Sequence, residues 1–441
     1  MAQSALQGAL HGRLFGDAEL SELLSDSREV ARMIACERAL AKVQGDLGII
    51  PGDQAQAIFR DLDGIVIDPG ELAAGTAADG VPVPALVRAL RECLPAEAAQ
   101  WLHWGATSQD IIDTGQILGL RECLNVLVSR LGALIDALQQ RSEKYSGTLM
   151  AGRTRAQVST PITFGLRIAQ WARPLIGLEN EIEALKSDLL RVQFGGSSGA
   201  NTAIAPHGPE VAAALARDLG LQTASPWHTD RSAIARLARW LVDMSSALAK
   251  IAGDLVLLSR SEIAEVTLSG GGASSTMPQK SNPVGPESLL SLHHIAVAAG
   301  NGLQMAGGHA EERDGARWAV EWVLLPQLLL ASGAALRRAL DTVSGMTADA
   351  DRMHRNLAGQ PGVLAEQATF LLAAQMPRAD AQTKVKQALQ DAKPLQELLN
   401  NIATIDPDTA ERLQFGSVVD PCRIVCTEIF SARFAGAVSD R

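Results

Sequence analysis

Apolar residues recur at helical spacing along three stretches in the middle of the chain. In each stretch, one apolar side chain follows another by three or four residues in alternation, which is the spacing of one face of an α-helix. The stretches run from Ile117 to Leu138, from Ile168 to Val192 and from Ile234 to Leu258. Each predicts a helix of roughly 30 Å or more with one apolar seam. Long helices bury such seams by packing at shallow angles, so the pattern predicts a helical bundle.

Proline and glycine residues predict where these helices bend and end. Pro174 lies inside the second stretch and should kink that helix. A glycine-rich segment at 195–199 should separate the second long helix from the third. A fourth helix is expected to start near Pro286, and a fifth is expected from about Trp318 through Leu340, bent at Pro326.

The N-terminal and C-terminal parts of the chain have shorter stretches of apolar residues at helical spacing. Residues 1 to about 110 mix short helices with loops, and one amphipathic helix is expected from Arg32 to Leu47, ended by Gly48. After Gly345 the periodicity shortens again. We therefore predict an N-terminal helical domain at 1–110, a central long-helix bundle with a catalytic loop at 111–345, and a C-terminal helical domain at 346–441.

Composition and charge narrow the range of partners. The 441 residues are 47% apolar and carry a net charge of −10, which predicts a large core and argues against nucleic acid as a partner. An anionic substrate would therefore need a local arginine cluster. Five scattered cysteines, none in a C-x-x-C pair, argue against a disulfide framework or a zinc site. No signal peptide and no apolar run of about 18 residues are found, so we expect a cytoplasmic protein with no membrane partner.

The polar segment from Ser269 to Pro283 is the first candidate for chemistry. Three consecutive glycines free its backbone and two prolines stop a helix, as expected of a mobile loop that folds over a ligand. A serine hydroxyl is a weak base, and the charge of Lys280 could lower the cost of its alkoxide, while Asn282 could hold a carboxylate oxygen. The alternative is a glycine- and proline-rich linker with incidental hydroxyls.

The order of residues in this segment closely resembles the signature G-S-S-x-M-P-x-K-x-N-P of the fumarase/aspartase superfamily, with Ala273 at the first position. The resemblance implies that Ser274 is the catalytic base or acid, that Ser275 lies in the substrate site, and that Lys280 and Asn282 are catalytic. It also implies an all-α, aspartase/fumarase-like fold, with a central bundle of long helices and smaller N- and C-terminal helical domains. Members of this superfamily are homotetramers whose active sites each draw on three subunits.

The segment from His103 to Asp110 precedes the first long helix. Ser108 could cap that helix, and the hydroxyls of Thr107 and Ser108 beside helical N–H groups could cradle a carboxylate. A plain cap and a packed surface histidine are the alternatives. The segment resembles the H-x-G-x-T-S-x-D box of the adenylosuccinate lyase branch, which implies that Thr107 and Ser108 bind a substrate carboxylate and that His103 is catalytic.

The segment from Gly152 to Pro161 is predicted to open the second long helix. It resembles the superfamily's G-R-T-H-x-Q box, but Arg155 replaces the histidine that serves as general acid in adenylosuccinate lyases. An arginine stays protonated at neutral pH and cannot shuttle protons, which argues against an amine-eliminating lyase. Arg155 and Gln157 become candidates for substrate binding, and the alternative is that both are simply solvated.

Three further segments resemble bacterial 3-carboxy-cis,cis-muconate cycloisomerases. They are P-W-H-T-x-R at 226–231, Q-F-G-G-x-S-G at 193–199, and an E-R pair at 312–313 followed by W-x-x-E-W at 318–322. The resemblance implies that Arg231 and Arg313 clamp substrate carboxylates, because the guanidinium fork suits bidentate binding, and that His228 lies in the substrate site. The alternative for the two arginines is a surface ion pair.

The resemblance implies cycloisomerisation of a small tricarboxylate, 3-carboxy-cis,cis-muconate, to a carboxymuconolactone in the protocatechuate branch of aromatic degradation. No cofactor is expected, because the nucleophile is a carboxylate of the substrate itself. A fumarate-releasing lyase of the adenylosuccinate type, a sulfomuconate cycloisomerase and a non-catalytic, crystallin-like protein remain alternatives. His293, His294 and His309 have no acidic ligand at the expected helical spacing, so no metal site is expected.

Overall fold

The computed structural model describes residues 6–273, 277, 280–390 and 395–435, and helices make up most of them. The longest are α8 (Ser108–Lys144), α9 (Phe164–Asn180), α12 (Ser232–Leu258), α13 (Val284–Ala306) and α14 (Gly315–Gly345). The all-α prediction is therefore confirmed, and the fourth helix, expected to start near Pro286, starts at Val284.

Shorter helices occupy the two ends of the chain and the interval between α9 and α12. The N-terminal ones are α1 (Gly12–Phe15), α2 (Ala18–Leu23), α3 (Asp26–Asp46), α4 (Gly52–Asp61), α5 (Pro69–Asp79), α6 (Val83–Glu92) and α7 (Ala96–Ala99). The interval contains α10 (Ile182–Leu189) and α11 (Gly208–Leu219). The C-terminal ones are α15 (Ala350–Ala358), α16 (Ala365–Ala373), α17 (Arg378–Gln390), α18 (Leu395–Ile405), α19 (Pro407–Arg412) and α20 (Val419–Ala435).

The three predicted apolar seams are buried. Every side chain that defines them is at most 9% exposed, and most are at 0–2%. At roughly 25 cal/mol for each Å² of apolar surface removed from water, these rows of leucine and isoleucine are a main source of stability. The long helices are thus held by packing of one face rather than by helix propensity alone.

The chain forms two compact units, and neither is one continuous segment. The first comprises residues 6–129, 181–245 and 291–335, and its core is formed by α3 to α7 with the first part of α8 and with α11. The second comprises residues 130–180 and 246–290 together with the described residues after 335. Its core includes a cluster from α15 to α19. The division into three consecutive domains stays a prediction.

The second long helix differs from its prediction in two ways. The helix is interrupted at Glu181, between α9 and α10, whereas Pro174 lies inside α9. The segment predicted to open this helix forms two antiparallel strands instead, β1 (Leu149–Thr154) and β2 (Gln157–Thr163). Arg153 pairs with Val158 and Thr154 with Gln157, which leaves Arg155 and Ala156 as a two-residue turn.

Four other short strands occur in the described residues, and all lie in the second unit. β3 (Val266–Leu268) pairs with β6 (Met346–Ala348), and β4 (Gly272–Ala273) pairs with β5 (Ser281–Asn282), both antiparallel. The β4–β5 pair brackets the polar segment that the sequence singles out. The expected loop is therefore anchored by a two-residue ladder at its base.

α14 is long and apolar enough, by length and composition, to cross a membrane. No apolar run of that length was expected from the sequence, so this helix was missed. Within the described residues it is the one helix that meets this test, and 61% of its most apolar stretch is buried inside the protein. The core helix of a soluble protein passes the same test, so α14 is weak evidence for a membrane span.

The hairpin turn yields a stability prediction. Arg155 and Ala156 have φ angles of +51° and +64°, the left-handed pair that matches a two-residue hairpin to the twist of its strands. A side chain in this region costs roughly 1 kcal/mol. Ala156→Gly should therefore raise the free energy of unfolding by about 1 kcal/mol.

Ala73, exposed in helix α5, provides a matched control. Ala73→Gly should lower the free energy of unfolding by about 0.5–1 kcal/mol, because glycine loses more backbone entropy in a helix. Urea unfolding of the parent protein and both variants measures the difference. An Ala156→Gly protein that is no more stable than its parent would contradict a strained turn.

Candidate active site

The first long helix begins with a carboxylate that caps its own first turn. α8 starts at Ser108, and Asp110 in its first turn accepts a hydrogen bond from the backbone N–H of Thr107 at 3.0 Å. This is the acidic half of a capping box. The predicted cap position therefore moves from Ser108 to Thr107, and Ser108 becomes the first helical residue. Both hydroxyls stay at the positive end of the helix dipole, where an anion is stabilised.

The buried carboxylate of Asp110 joins this helix start to two distant segments. It accepts hydrogen bonds from the N–H groups of Gly195 at 2.9 Å and Gly196 at 3.0 Å, and its Oδ1 lies 2.9 Å from Nε2 of His228. Asp110 is 1% exposed, so this set of donors compensates for the lost hydration of its charge.

The two glycines are required at these positions. A Cβ on Gly195 would come within 2.7 Å of Pro226 and 2.9 Å of the His228 ring, and Gly196 has a φ of +67°. The first glycine therefore lets the segment pack against His228, and the second provides the turn that presents both N–H groups to Asp110.

Asp113, one turn further along α8, is the centre of a second buried network. Its carboxylate accepts from Nη1 and Nη2 of Arg231 at 2.8 and 3.2 Å, from Nε2 of Gln109 at 3.1 Å and from Nε1 of Trp318 at 3.1 Å. Arg231 donates on its other side to Glu321, at 2.9 and 2.5 Å. Asp113 is fully buried and Arg231 is 2% exposed.

These contacts use four of the five N–H donors of Arg231. Burial by itself lowers the pKa of its guanidinium, but the charges of Asp113 and Glu321 outweigh burial and raise the pKa above its usual value. The ring of Trp227 covers the guanidinium at 4.8 Å. The geometry favours the ion-pair alternative over a direct substrate clamp for Arg231, although the pair is buried and not on the surface.

Arg313, unlike Arg231, is held by hydrogen bonds to neutral groups. Its Nε donates to Oε1 of Gln109 at 2.8 Å, and its Nη2 donates to the hydroxyl of Thr107 at 3.2 Å and the carbonyl of Ser197 at 3.1 Å. All three acceptors are neutral, and Arg313 makes no ion pair with any residue that the structure describes. No described carboxylate neutralises the charge of this half-buried guanidinium, so the guanidinium can pair with an anion.

Gln109 connects the two arginines. Its amide nitrogen donates to Asp113 at 3.1 Å and to the carbonyl of His228 at 3.0 Å, which leaves its oxygen pointing at Arg313. Sequence reasoning did not single out Gln109, Asp110, Asp113 or Glu321 as site residues. Polar residues at i and i+4 on an otherwise apolar helix are the signal that could have identified Gln109 and Asp113.

His103 contacts the buried Glu37 and not the carboxylate cradle. Its Nδ1 lies 2.6 Å from Oε1 of Glu37, which is 0% exposed, and its backbone has a φ of +66°. Burial alone would lower the pKa of His103, but the charge of Glu37 and its hydrogen bond outweigh burial, so the pKa is raised. His103 is therefore held as a protonated ring over a wider pH range than a free histidine.

The remaining predicted site residues belong to the second unit. Arg155 and Gln157 are exposed at the tip of the β1–β2 hairpin. Lys280 is exposed, and Asn282 is half-buried opposite Gly272 in the β4–β5 pair. Ser274 and Ser275 lie outside the described residues.

The other predicted site residues belong to the first unit. There the structure brings together Thr107, Ser108, His228, Arg231 and Arg313, and it places His103 beside Glu37.

Comparison with known proteins shows similarity along nearly the whole chain. The family model described as Lyase matches residues 6–297. A 3-carboxy-cis,cis-muconate cycloisomerase of Acinetobacter baylyi is 34% identical over 403 residues, which cover 89% of this chain and 89% of that protein. A nitrosuccinate lyase of Streptomyces davaonensis is 32% identical over 424 residues, which cover 91% of this chain and 88% of that protein.

The fold is shared with solved structures. The crystal structure of 3-carboxy-cis,cis-muconate lactonizing enzyme from Pseudomonas putida matches with a TM-score of 0.90 and 31% sequence identity, covering 98% of this chain and 100% of that chain. The predicted aspartase/fumarase-like fold is confirmed by this match.

Removal of the Arg231 guanidinium should strongly destabilise the folded protein. Arg231→Met leaves two buried carboxylates without a counter-charge, which should lower the free energy of unfolding by about 3–5 kcal/mol. Arg236 lies in the first turns of α12, which begins directly after Arg231. Its side chain is 55% exposed and pairs with Asp188, so Arg236→Met should cost less than about 1 kcal/mol. Urea unfolding compares the two variants. Equal small losses would show that the Asp113 network contributes little.

The contact between His103 and Glu37 should make stability depend on pH. Because the folded-state pKa of His103 is raised, its contribution is fully present below the unfolded-state pKa of about 6.5 and is lost as the pH rises through the folded value. The stability advantage of the parent protein over His103→Gln should therefore be larger at about pH 6 than at about pH 9. Glu37→Gln removes the charge and should flatten the same dependence. A constant advantage across this range would contradict the raised pKa.

Proposed function

This chain belongs to the lyase family, and we propose that it is a cycloisomerase converting 3-carboxy-cis,cis-muconate to a carboxymuconolactone. The observation that carries the proposal is Arg313, a cation with only neutral described partners, fixed beside Thr107 at the positive end of α8. A chain with a net charge of −10 needs such a local site to attract a trianion.

The reaction is an isomerisation in which no atom is gained or lost. One substrate carboxylate adds through its oxygen to a conjugated alkene carbon of the same molecule. The alkene electrons move onto a second carboxylate, which becomes an aci-carboxylate, and a proton then adds to the α-carbon beside it. The enzyme must therefore stabilise the aci-carboxylate and deliver one proton.

We assign the stabilisation of charge to Arg313 and the start of α8. The Thr107 hydroxyl, the Ser108 hydroxyl and the helix dipole act together on one carboxylate. Gln109 fixes the direction of Arg313, and Asp113 with Arg231 fixes Gln109. In this proposal Arg231 is a positioning residue, and His228 orders the cradle through Asp110.

The proton is assigned to Ser274, which fits the signature but lies outside the described residues. Lys280 would lower the cost of charge on that serine, while Asn282 and Ser275 would bind the substrate. Arg155 and Gln157 would contact another carboxylate from the hairpin tip. The left-handed turn that presents Arg155 supports this role, because strained positions concentrate at functional sites.

We also propose a homotetramer in which each active site draws on three subunits. Large apolar side chains are exposed on three long helices, as expected of helices that pack against other subunits. These are Leu257 at 54%, Met305 at 82% and Val323 at 58%. A cytoplasmic location is proposed as well, and the free thiols of all five cysteines agree with a reducing compartment.

A fumarate-releasing or related elimination is the second candidate, because a nitrosuccinate lyase is also a relative. Arg155 counts against it, since the usual proton-shuttling histidine is absent. A sulfomuconate substrate is a further variant, because arginine binds sulfonate as well as carboxylate.

Loss of 3-carboxymuconate absorbance with purified protein tests the proposal directly. We expect saturable loss of substrate, a lactone product identified by NMR, and no fumarate from adenylosuccinate.

Ser274→Ala should lower kcat by at least ~10²-fold with KM changed only a few-fold, as expected when a positioned acid or base is removed. Ser269→Ala, at the exposed start of the same segment, is the matched control. Unchanged turnover in Ser274→Ala would refute the serine assignment, and inactivity of the parent protein would refute the cycloisomerase.

A further inference from the structure

The second unit contains a cavity of about 700 Å³ that the proposed reaction does not use. Its walls are one face of the β1–β2 hairpin, the start of α9, the end of α12 and the end of α15. Only two carboxylates line it, those of Asp254 and Glu262, against five cationic side chains. The cations are Arg153, Arg167, Lys250, Arg260 and Arg355. This is a locally positive site in an acidic protein, which favours an anionic occupant.

Three of the five cations are already paired. Arg153 donates to the buried Glu265 at 2.9 and 2.6 Å. Lys250 lies 2.6 Å from Asp254, and Arg260 donates through Nε to Glu262 at 2.7 Å. These ion pairs neutralise their own charges, so they would not by themselves recruit a ligand.

Arg167 and Arg355 are not paired in this way. Neither guanidinium makes a hydrogen bond or ion pair with a residue in the described part of the chain. Arg167 is half-buried, and burial lowers the pKa of its guanidinium, with the nearby charge of Asp254 only partly opposing this. A partly desolvated guanidinium that lines a cavity without an acceptor is an unfilled anion contact.

The rest of the lining suits a ligand with a hydrocarbon body. Val158, Leu258 and Ile263 supply apolar surface, and the amides of Gln170 and Gln360 add donors. A bare inorganic anion would leave the apolar wall unused. Organic ligands are usually bound by such walls with a few fixed polar groups.

The register of the hairpin separates this cavity from the predicted substrate residues. Arg153 and Val158 are cross-strand partners, so their side chains share the face that lines the cavity. Thr154 and Gln157 form the next pair, and their side chains therefore project from the opposite face. Gln157, the predicted substrate contact, thus points away from the cavity.

We propose that this cavity is a second ligand site, which binds a small di- or tricarboxylate with a hydrocarbon body between Arg167 and Arg355. The two guanidinium groups hold the carboxylates, and the leucine and isoleucine side chains cover the body of the ligand. This site takes the same chemical class as the proposed substrate and shares no residue with the Arg313 cradle.

Isothermal titration calorimetry at low ionic strength tests the site with isophthalate and tricarballylate as probes. The titrations use full-length Arg313→Met protein, in which the proposed substrate cradle is disabled. We expect one probe molecule to bind for each chain. Adding Arg167→Met or Arg355→Met should weaken binding at least ~10-fold, the scale of one lost charge-assisted contact. Arg173, exposed on the same helix as Arg167 and absent from the cavity lining, gives the matched control Arg173→Met, with binding within about twofold.

The outcomes separate this site from the proposed activity. Absence of binding to Arg313→Met protein, as would follow if a neighbouring subunit fills the cavity, would overturn the proposal. So would equal effects of Arg167→Met and Arg173→Met. Arg355 is exposed, so Arg355→Met gives the same test if Arg167→Met fails to fold. Binding that depends on Arg167 in a protein without cycloisomerase activity would support the site and count against the proposed reaction alone.

Discussion

Two buried carboxylates on one face of α8 determine the arrangement of the first unit's site. Asp110 and Asp113 are almost completely removed from water, and each would be very costly there without several donors. Their donors come from segments near residues 107, 195, 228, 231 and 318. Folding therefore has to bring those segments together, and the carboxylate cradle forms as a consequence of satisfying the two charges.

The charge of its partners distinguishes Arg231, which two carboxylates neutralise, from Arg313, the arginine proposed to bind the substrate. Arg231 donates four of its five N–H groups to two carboxylates, whereas Arg313, which donates to Gln109, has only neutral partners among the described residues. The second unit repeats the contrast with Arg153, which is paired to Glu265, and Arg167, which makes no such pair in the described residues. An acidic protein can thus bind anions by leaving particular guanidinium groups without a counter-charge.

The sequence predicted the long helices better than the site. Apolar seams depend on local spacing, so α8 and α12 were recognisable, whereas the hairpin was missed because its Arg155–Ala156 turn lacks the usual Asn-Gly signal. The role of Arg231 depends on Asp113, 118 positions earlier, and Glu321, 90 positions later. Motifs identified both arginines as candidates, but only the folded contacts reveal which of them is already neutralised.

Backbone conformation gives an independent argument that His103 and Arg155 matter for more than folding. Both have positive φ angles, which cost a residue with a Cβ roughly 1–2 kcal/mol. The chain uses glycine for the same conformation nearby, at Gly105 and Gly196. Glycine at 103 or 155 would avoid that cost, as it would at Ala156, so the imidazole and the guanidinium are candidates for a role that the backbone does not require. The contact with Glu37 accounts for part of this at His103. Arg155 is exposed at the tip of the hairpin, which agrees with the proposal that its side chain meets a ligand.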